Sequence, residues 1–355
     1  MTRFLLAGGG TAGHVNPLLA LADALIEDDA SNQVWALGTR EGLESTLVPQ
    51  RGYELLTVER LPFPRKPSWY AVTFPLRFWR AISQVKGYLR DNKIDVVVGF
   101  GGYASAPAYL AAKSLGIPSV VHEANALPGW ANKLGAKSAK AVGVTFKSTP
   151  IANATFVGMP LRKEIEALAV HSDKESARLH FGLDPDTITL LVTGGSLGAK
   201  RINETIEKAR RVLSAAGIQV LHIMGGRSEL PEVHEKDYVR IAYCDRMDLA
   251  ISASSFAVSR AGSSTVSEFS ALGLPAAYVP YPVGNGEQKL NVADVVTGEG
   301  GLMVLDADFD EAFVANTLVP LISNSRALAE MSKSAKKVGI PDGTSRLLAL
   351  VKGVL

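Results

Sequence analysis

The chain has 355 residues, of which 47% are hydrophobic and 20% charged, and its formal net charge is +2. This length favours two domains, since domains average about 150 residues, and the composition excludes a disordered chain. The single cysteine, Cys244, excludes an internal disulfide framework and favours a reducing compartment. The longest uncharged stretch, residues 96–112, is interrupted by glycine and proline, so we expect no membrane-spanning helix.

A module of strand, glycine turn and helix opens the chain and returns in its second half. The predicted strand, turn and helix are 3–7, 8–13 and 17–26 in the first module, and 187–193, 194–198 and 203–215 in the second. Short apolar runs alternating with helical stretches are typical of parallel βαβ units.

A second pair of modules follows the first pair in the same order. Strands 96–98 and 256–259 each lead into glycine, a helix, a Gly-x-Pro turn and a further strand at 119–122 or 276–279. We therefore predict an α/β protein with two Rossmann-like domains facing a central cleft. Glycine and proline at 158–160 place the boundary there, giving domains 1–160 and 161–342. We expect the last helix, 343–355, to pack back on the first domain.

Both glycine turns are candidate anion sites, because backbone N–H groups and the helix dipole meet in front of such a turn. A tight βα connection without a ligand explains them equally well. Neither turn ends in the Gly-Lys-Ser/Thr of a Walker loop. Residues 8–13 fit the loose nicotinamide pattern, but the acids at 27–29 fall at a helix end and not on a second strand. An NAD-dependent oxidoreductase therefore stays as a remote alternative.

A basic segment, residues 60–90, carries seven lysines and arginines and no acid, so the rest of the chain has a charge of −5. Its aromatic and basic side chains interleave, as in a shallow contact with an anionic membrane. The predicted contacts are Trp69, Phe74, Phe78, Trp79, Arg77 and Arg80. A core helix with a solvated basic face is the alternative. No nucleic-acid-binding motif accompanies the segment.

The three acids Asp306, Asp308 and Asp310 match the Asp-x-Asp pattern by which some enzymes hold a metal ion. They precede a helical run that starts at Glu311, so we expect them to cap that helix and complement its dipole. No histidine pair has the spacing of a zinc site. We predict no metal and no bound cofactor.

Seven motifs make the chain resemble the MurG family of N-acetylglucosamine transferases. They are GGGTAGHVNP (8–17), GFGGYASAPA (99–108), HEANALPGWANK (122–133), VGMPLR (157–162), TGGSLGAKRIN (193–203), SRAGSSTVSE (259–268) and NGEQKLN (285–291). The resemblance covers nearly the whole chain and implies the GT-B fold. It also implies transfer of N-acetylglucosamine from UDP-N-acetylglucosamine to an undecaprenyl-linked muramyl-pentapeptide pyrophosphate in peptidoglycan synthesis. The expected location is the cytoplasmic face of the cell membrane, as a peripheral protein.

The resemblance also implies which residues contact the donor. The matching positions are Thr11, Ala12, Gly13, Asn125, Arg162, Ser196, Cys244, Ser263, Ser264, Thr265, Val266, Ser267, Glu268 and Gln288. Cys244 is expected to act through its backbone, Glu268 to accept from the ribose hydroxyls, and Gln288 to read the sugar. Two departures from the family are Glu287 beside Gln288, where a pair of glutamines is common, and Ala12, where glycine is common.

The implied chemistry is a single displacement that inverts the anomeric carbon. The acceptor 4-hydroxyl attacks, UDP leaves, and amides around Ser196 stabilise the departing diphosphate. His14 follows the first turn and is the candidate general base, although a lone histidine is more often structural. A different GT-B UDP-sugar enzyme or a UDP-N-acetylglucosamine 2-epimerase would share the nucleotide half, and a non-catalytic sugar-binding protein is the least favoured alternative.

Overall fold

Short apolar runs buried on both faces form the strands of two parallel sheets. The computed structural model describes residues 1–64, 66–170 and 173–355, which divide into two units. Unit 1 comprises Met1–Arg162 and Asp342–Leu355, and unit 2 comprises Lys163–Pro341. Arg65, one of the seven basic residues of the segment 60–90, lies outside the described residues.

Unit 1 carries a seven-stranded sheet with the order β3-β2-β1-β4-β5-β6-β7 and all pairs parallel. Its strands are β1 (Arg3–Ala7), β2 (Gln33–Gly38), β3 (Glu54–Thr57), β4 (Val96–Gly99), β5 (Ser119–Glu123), β6 (Ala141–Val144) and β7 (Thr155–Phe156). Its first helices are α1 (Ala12–Asp28), α2 (Glu44–Gln50), α3 (Trp69–Asp91), α4 (Ser105–Leu115) and α5 (Trp130–Ala136).

Unit 2 repeats this plan with the order β10-β11-β9-β8-β12-β13-β14, in which only the β10–β11 pair is antiparallel among the pairs of the described residues. Its strands are β8 (Thr189–Thr193), β9 (Gln219–Ile223), β10 (Val233–Glu235), β11 (Tyr238–Ile241), β12 (Phe256–Ser259), β13 (Ala276–Tyr278) and β14 (Gly301–Met303). Its helices are α6 (Lys163–Val170), α7 (Lys174–His180), α8 (Lys200–Ala215), α9 (Met247–Ser252), α10 (Ser263–Leu272), α11 (Glu287–Asn291), α12 (Ala293–Thr297), α13 (Glu311–Phe313), α14 (Val319–Ile322) and α15 (Ser325–Val338).

The last helix, α16 (Gly343–Lys352), belongs to unit 1. Leu347 and Val351 are fully buried in the cluster that also contains Leu18 of α1. The ammonium group of Lys352 pairs with Asp28 at the end of α1, at 2.7 Å. The helix therefore packs on the first unit through both apolar and charged contacts.

The two faces of each sheet bury alternate residues, as parallel strands covered on both sides require. On β1, Phe4 and Leu6 enter one core cluster, while Leu5 and Ala7 enter another. In both units the chain leaves the central strand in one direction and returns on its other side, between β1 and β4 or between β8 and β12. Ligands of such sheets bind outside the carboxyl ends of the strands at this switch point.

Two helices begin earlier than the sequence predicts. Helix α1 starts at Ala12, five residues before Pro17, and α8 starts at Lys200, three residues before the predicted start. Proline is favoured at the first helical position, which led the prediction to Pro17. A proline in the second turn removes only its own N–H bond, which here would have gone to the carbonyl of Gly13. The first glycine turn is therefore shorter than predicted, and Ala12 and Gly13 are helical, whereas the second predicted turn, 194–198, ends before α8 begins.

Candidate functional site

The first glycine turn joins β1 to α1 at the switch point of unit 1. Thr11 is the N-cap residue, but no side chain caps the helix and its first turn holds no acid. Thr11 is exposed, and Ala12 and Gly13 are half-buried in the first helical turn. The first turn of α1 is thus uncapped by any side chain.

His14 lies in the first turn of α1 and is half-buried. Its Nδ1 atom is 3.0 Å from the carbonyl oxygen of Gly9 and 3.4 Å from Oγ1 of Thr11. A carbonyl oxygen only accepts, so in the neutral ring this bond places the proton on Nδ1 and the lone pair on Nε2. The geometry therefore gives His14 an Nε2 atom that can receive a proton.

A second histidine of unit 1, His122, is fully buried at the end of β5. Burial lowers its pKa to about 4, and a smaller contribution comes from the charge of His14. Its Nε2 atom is 3.1 Å from the carbonyl oxygen of Gly158. His122 is therefore neutral at physiological pH and packs the interior, which leaves His14 as the candidate base.

The loop after β5 is organised by a buried carboxylate that the sequence analysis missed. Glu123 accepts the backbone N–H of Asn125 at 2.9 Å and the side-chain amide of Asn132 at 2.9 Å. Its second oxygen also accepts from the N–H of Gly129, at 3.0 Å. Asn125, predicted as a donor contact, is thus held in a rigid loop. The only signal in the sequence was the position of Glu123 next to His122 in the motif.

His14 and Asn132 flank one glycine, Gly101, in the loop after β4. A Cβ placed on Gly101 would lie 3.2 Å from Nε2 of His14 and 3.3 Å from the amide nitrogen of Asn132. A side chain at Gly101 would cover both atoms. The structure therefore joins Asn125, through Glu123 and Asn132, to the surroundings of His14.

Arg162, the last residue of the first segment of unit 1, is half-buried.

The second glycine turn joins β8 to α8 at the switch point of unit 2. Ser196 at its tip is exposed, and its carbonyl oxygen accepts the N–H of Gly226 at 3.0 Å. No side chain caps α8 at Ala199, and its first turn holds no acid. The turn thus presents an uncapped helix of 16 residues behind an exposed hydroxyl, which suits a phosphate.

The start of α10 carries six predicted donor contacts. Gly262 is the N-cap residue without a side-chain cap, and the first turn again holds no acid. Ser264, Thr265 and Ser267 are half-buried, whereas Ser263, Val266 and Glu268 are buried. Because Val266 packs in the interior, only its backbone is available to a ligand. Glu268 lies in the second turn of the helix.

Gln288 on α11 is oriented by the loops around it. Its Oε1 atom accepts the N–H of Tyr281 at 2.9 Å and that of Ala261 at 3.2 Å. This pattern assigns the amide so that the Nε2 end is the donor. Such an amide suits a sugar hydroxyl. The Cys244 side chain is buried, consistent with the predicted role of its backbone.

The acids at 306–310 are engaged in structural contacts. Asp310 caps α13 by accepting the N–H of Phe313 at 2.8 Å, as predicted. Asp306 does not cap a helix and instead pairs with Arg260 at 2.5 Å. Among residues 1–64, 66–170 and 173–355, no group of three or more metal-binding side chains comes together.

Helix α3 corrects two of the predicted membrane contacts. Phe74 is buried with Leu61 and Ala81, and Phe78 packs against this cluster. They point inward because residues 74, 78, 81 and 85 recur at helical spacing on the core face. Trp69 and Trp79 are 80% and 65% exposed, and Val72 and Leu76 on the same face are exposed too. Arg77 pairs with Glu59 and Arg80 is exposed.

None of the helices in the described residues has the length and apolar character needed to span a bilayer. The exposed apolar side chains of α3 recur at positions 69, 72, 76 and 79, a spacing that places them on one face of the helix.

Comparisons with known proteins agree along the whole chain. The model of the glycosyltransferase family 28 N-terminal domain matches residues 4–144, and that of the C-terminal domain matches residues 189–347. A protein of Clavibacter sepedonicus named UDP-N-acetylglucosamine--N-acetylmuramyl-(pentapeptide) pyrophosphoryl-undecaprenol N-acetylglucosamine transferase is 54% identical over 353 residues, 99% of this chain and 96% of that protein. A Leifsonia xyli protein of the same name is 54% identical over 352 residues, 99% of this chain and 98% of its own length.

The crystal structure of Acinetobacter baumannii MurG is similar with a TM-score of 0.80 and 25% sequence identity, covering 99% of this chain and 100% of that one. This likeness confirms the predicted GT-B fold class of two Rossmann-like domains. The family models and the named relatives confirm the resemblance that the seven motifs carry.

Proposed function

The chain belongs to glycosyltransferase family 28, and we propose that it transfers N-acetylglucosamine from UDP-N-acetylglucosamine to the 4-hydroxyl of muramyl-pentapeptide pyrophosphoryl-undecaprenol. The product is the disaccharide lipid used in peptidoglycan synthesis. The observation that carries this proposal is 54% identity over 99% of the chain to relatives named for that reaction. It favours the transferase over a 2-epimerase or an oxidoreductase. The acids expected to hold a nicotinamide ribose are also engaged, because Asp28 pairs with Lys352 and Asp29 with the N-terminus.

The donor site is proposed on unit 2. Uncapped α8 and α10 and the hydroxyl of Ser196 suit the negative charge of a diphosphate. Glu268 is assigned to the ribose hydroxyls and Gln288 to the sugar. The remaining donor contacts are Cys244, Ser263, Ser264, Thr265, Val266 and Ser267 on unit 2, and Thr11, Ala12, Gly13, Asn125 and Arg162 on unit 1.

The proposed reaction begins when His14 Nε2 takes the proton of the acceptor 4-hydroxyl. The hydroxyl oxygen then forms a bond to the anomeric carbon, and the bond from that carbon to the UDP oxygen breaks. The electron pair leaves with UDP, and one displacement inverts the configuration from α to β. Helix N-termini on unit 2 stabilise the charge that develops on the diphosphate.

A transfer assay with a lipid-linked muramyl-pentapeptide acceptor tests this function. We expect UDP release that requires the acceptor, and a product with a β-1,4 linkage. Formation of UDP-N-acetylmannosamine without an acceptor, or of free N-acetylmannosamine and UDP by epimerisation with hydrolysis, would contradict the proposal and identify a 2-epimerase. A product on a different acceptor, with the muramyl lipid unused, would assign another UDP-sugar transferase.

We also propose that the exposed face of α3 attaches the protein peripherally to the cytoplasmic face of the membrane. Trp69 and Trp79 would enter the interface, and Arg80 would face anionic headgroups, with Arg77 beside them. Phe74 and Phe78 support this face from beneath. Apolar anchors rimmed by cations bind such surfaces with about 1 kcal/mol per basic residue.

Co-sedimentation with vesicles tests the attachment. Binding should rise with anionic lipid content and fall when Trp69 and Trp79 are replaced by alanine or Arg80 by glutamate. Replacing Arg326 by glutamate on the exposed face of α15 is the matched control. Equal binding to neutral and anionic vesicles by all variants would contradict the proposal.

A further inference from the structure

A buried carboxylate lies beneath the first glycine turn. Glu44, the first residue of α2, is fully buried and its Oε2 atom accepts the N–H of Gly10 at 2.7 Å. Its Oε1 atom accepts the N–H and the hydroxyl of Thr39, at 2.8 and 2.9 Å. Burying a carboxylate is costly unless hydrogen bonds satisfy it. The three donors around Glu44 therefore show that the fold provides a specific place for its charge.

Three glycines make room for this side chain. A Cβ on Gly9, Gly38 or Gly42 would collide with the Glu44 carboxyl group or its neighbouring carbon. These glycines come from the first turn, the end of β2 and the turn before α2. Glycine at these three positions therefore leaves space for the Glu44 side chain.

The hydrogen bond from Gly10 links Glu44 to His14. The N–H of Gly10 and the carbonyl of Gly9 belong to one peptide group. Glu44 accepts from the N–H side of this group, and Nδ1 of His14 bonds to its carbonyl side at 3.0 Å. Hydrogen bonds in such a chain polarise one another. A carboxylate on one end of the peptide makes the carbonyl on the other end a stronger acceptor.

We propose that Glu44 is a positioning residue for His14. Its carboxylate fixes and polarises the peptide group between Gly9 and Gly10, and this group holds the imidazole proton on Nδ1. The lone pair stays on Nε2, and the imidazolium that forms on proton transfer is stabilised. For its consequence in catalysis this inference rests on the proposed function, whereas the state of the imidazole in the free protein does not.

The tautomer of His14 in the unliganded wild-type protein is the first test. The chain has six histidines, so histidine labelled with ¹⁵N gives few signals, and a His14→Gln variant identifies those of His14. At a pH where the ring is neutral, we expect the proton on Nδ1. A ring that carries its proton on Nε2 would overturn the proposal without any further variant.

The Glu44→Gln variant removes the charge and keeps the shape. We expect altered His14 nitrogen shifts, a kcat lowered about tenfold or more, and a KM for UDP-N-acetylglucosamine changed less than about twofold. Glu54→Gln is the control, since Glu54 on β3 is an exposed acid of the same unit that accepts from Trp35 at 3.0 Å. It should alter neither the His14 shifts nor the rate.

The Thr39→Val variant separates the proposed role from a merely structural one. It removes one bond to Oε1 of Glu44 and leaves the bond to Gly10 and the charge. We expect wild-type His14 shifts. Equal changes in Thr39→Val and Glu44→Gln, or none in Glu44→Gln, would overturn the proposal. If Glu44→Gln fails to fold, two results would still overturn the proposal: a wild-type His14 ring with its proton on Nε2, or altered His14 shifts in Thr39→Val.

The two readouts separate this inference from the proposed function. The nitrogen shifts require no substrate, so the expected shifts in a protein without transferase activity would contradict the function and support the positioning role. If the wild-type protein transfers the sugar normally but Glu44→Gln leaves the His14 nitrogen shifts unchanged, only the positioning role is contradicted.

Discussion

The two glycine turns occupy equivalent places in the two sheets but differ in the charge beneath them. Beneath the first turn, the carboxylate of Glu44 takes up the N–H of Gly10, and the carbonyl of Gly9 holds His14. The second turn carries an exposed Ser196 at its tip, and its internal bonds run between backbone groups and the hydroxyl of Thr193. One turn is backed by a negative charge and the other is not.

This difference teaches that a shared topology can serve two tasks. A turn backed by a carboxylate suits a group that gains a positive charge, such as a base accepting a proton. A turn without one suits the negative charge of a leaving diphosphate. The difference supports the proposal that proton transfer belongs to unit 1 and binding of the donor diphosphate to unit 2.

Removing the base should give the largest effect. We expect His14→Ala to lower kcat by about 10²–10⁴-fold, since a well-placed general base contributes that much. The KM for UDP-N-acetylglucosamine should stay within about twofold, because His14 is assigned to the acceptor hydroxyl and not to the donor. His234→Ala, an exposed histidine on β10, is the control. Nearly full turnover by His14→Ala at saturating substrates would make His14 a residue that only positions the acceptor.

A methyl group should be far less tolerated in the first turn than in the second. The Cβ of Gly9→Ala would collide with Glu44, whereas no described atom lies within 4 Å of a Cβ on Gly195, which has φ +81°. We expect Gly9→Ala to lower the free energy of unfolding by about 3 kcal/mol and Gly195→Ala by about 1 kcal/mol. Denaturant unfolding measures both, and a larger loss for Gly195→Ala would contradict the comparison.

Acid should destabilise both units through one buried histidine in each. Burial lowers the pKa of His122 to about 4 and that of His222 to about 3, from an ordinary value of 6.5. Below pH 6.5 these two histidines bind protons in the unfolded chain but stay neutral in the folded one, so the free energy of unfolding falls. At pH 5 the loss should be about 2 kcal/mol for each histidine.

Denaturant unfolding between pH 7.5 and 5 measures this loss. The pH dependence should be weaker in His222→Gln and unchanged in His180→Gln, an exposed histidine at the end of α7. An equal slope in all three proteins would show that His222 does not contribute.

Placing a carboxylate in the second turn should make it resemble the first. We expect Ser196→Asp to weaken UDP binding about tenfold or more, because a like charge then faces the diphosphate. UDP should raise the melting temperature of the wild type and of Ser325→Asp, an exposed control on α15, but raise it much less in Ser196→Asp. If UDP stabilises Ser196→Asp as much as the wild type, the diphosphate does not bind at this turn.

Local patterns in the sequence predicted the glycine turns, the order of the modules and six of the strands, namely β1, β4, β5, β8, β12 and β13. They could not find Glu44, because its partner Gly10 follows β1 whereas Glu44 follows β2, and the two meet only when these strands pair. Helix α3 is a different case. The interleaved aromatic and basic residues predict either a membrane contact or a core helix with a solvated basic face, and the sequence alone does not show that Phe74 is buried while Trp69 and Trp79 are exposed.

The start of α1 was missed for a local reason, since Pro17 resembles a first helical residue. The helix nevertheless begins at Ala12, where the chain leaves the turn. The donor contacts came from the family motifs and not from periodicity. Seven of them, Ser196 and residues 263–268, follow the carboxyl ends of β8 and β12, which is where the switch point of unit 2 lies.

A crystal structure of the protein with UDP-N-acetylglucosamine tests the assignment of the two turns most directly. We expect the diphosphate at the backbone N–H groups next to Ser196 and at the start of α10, with the ribose at Glu268. Gly10 should keep its bond to Glu44 in that complex. A diphosphate bound instead by the first turn, with Glu44 displaced from Gly10, would contradict the account.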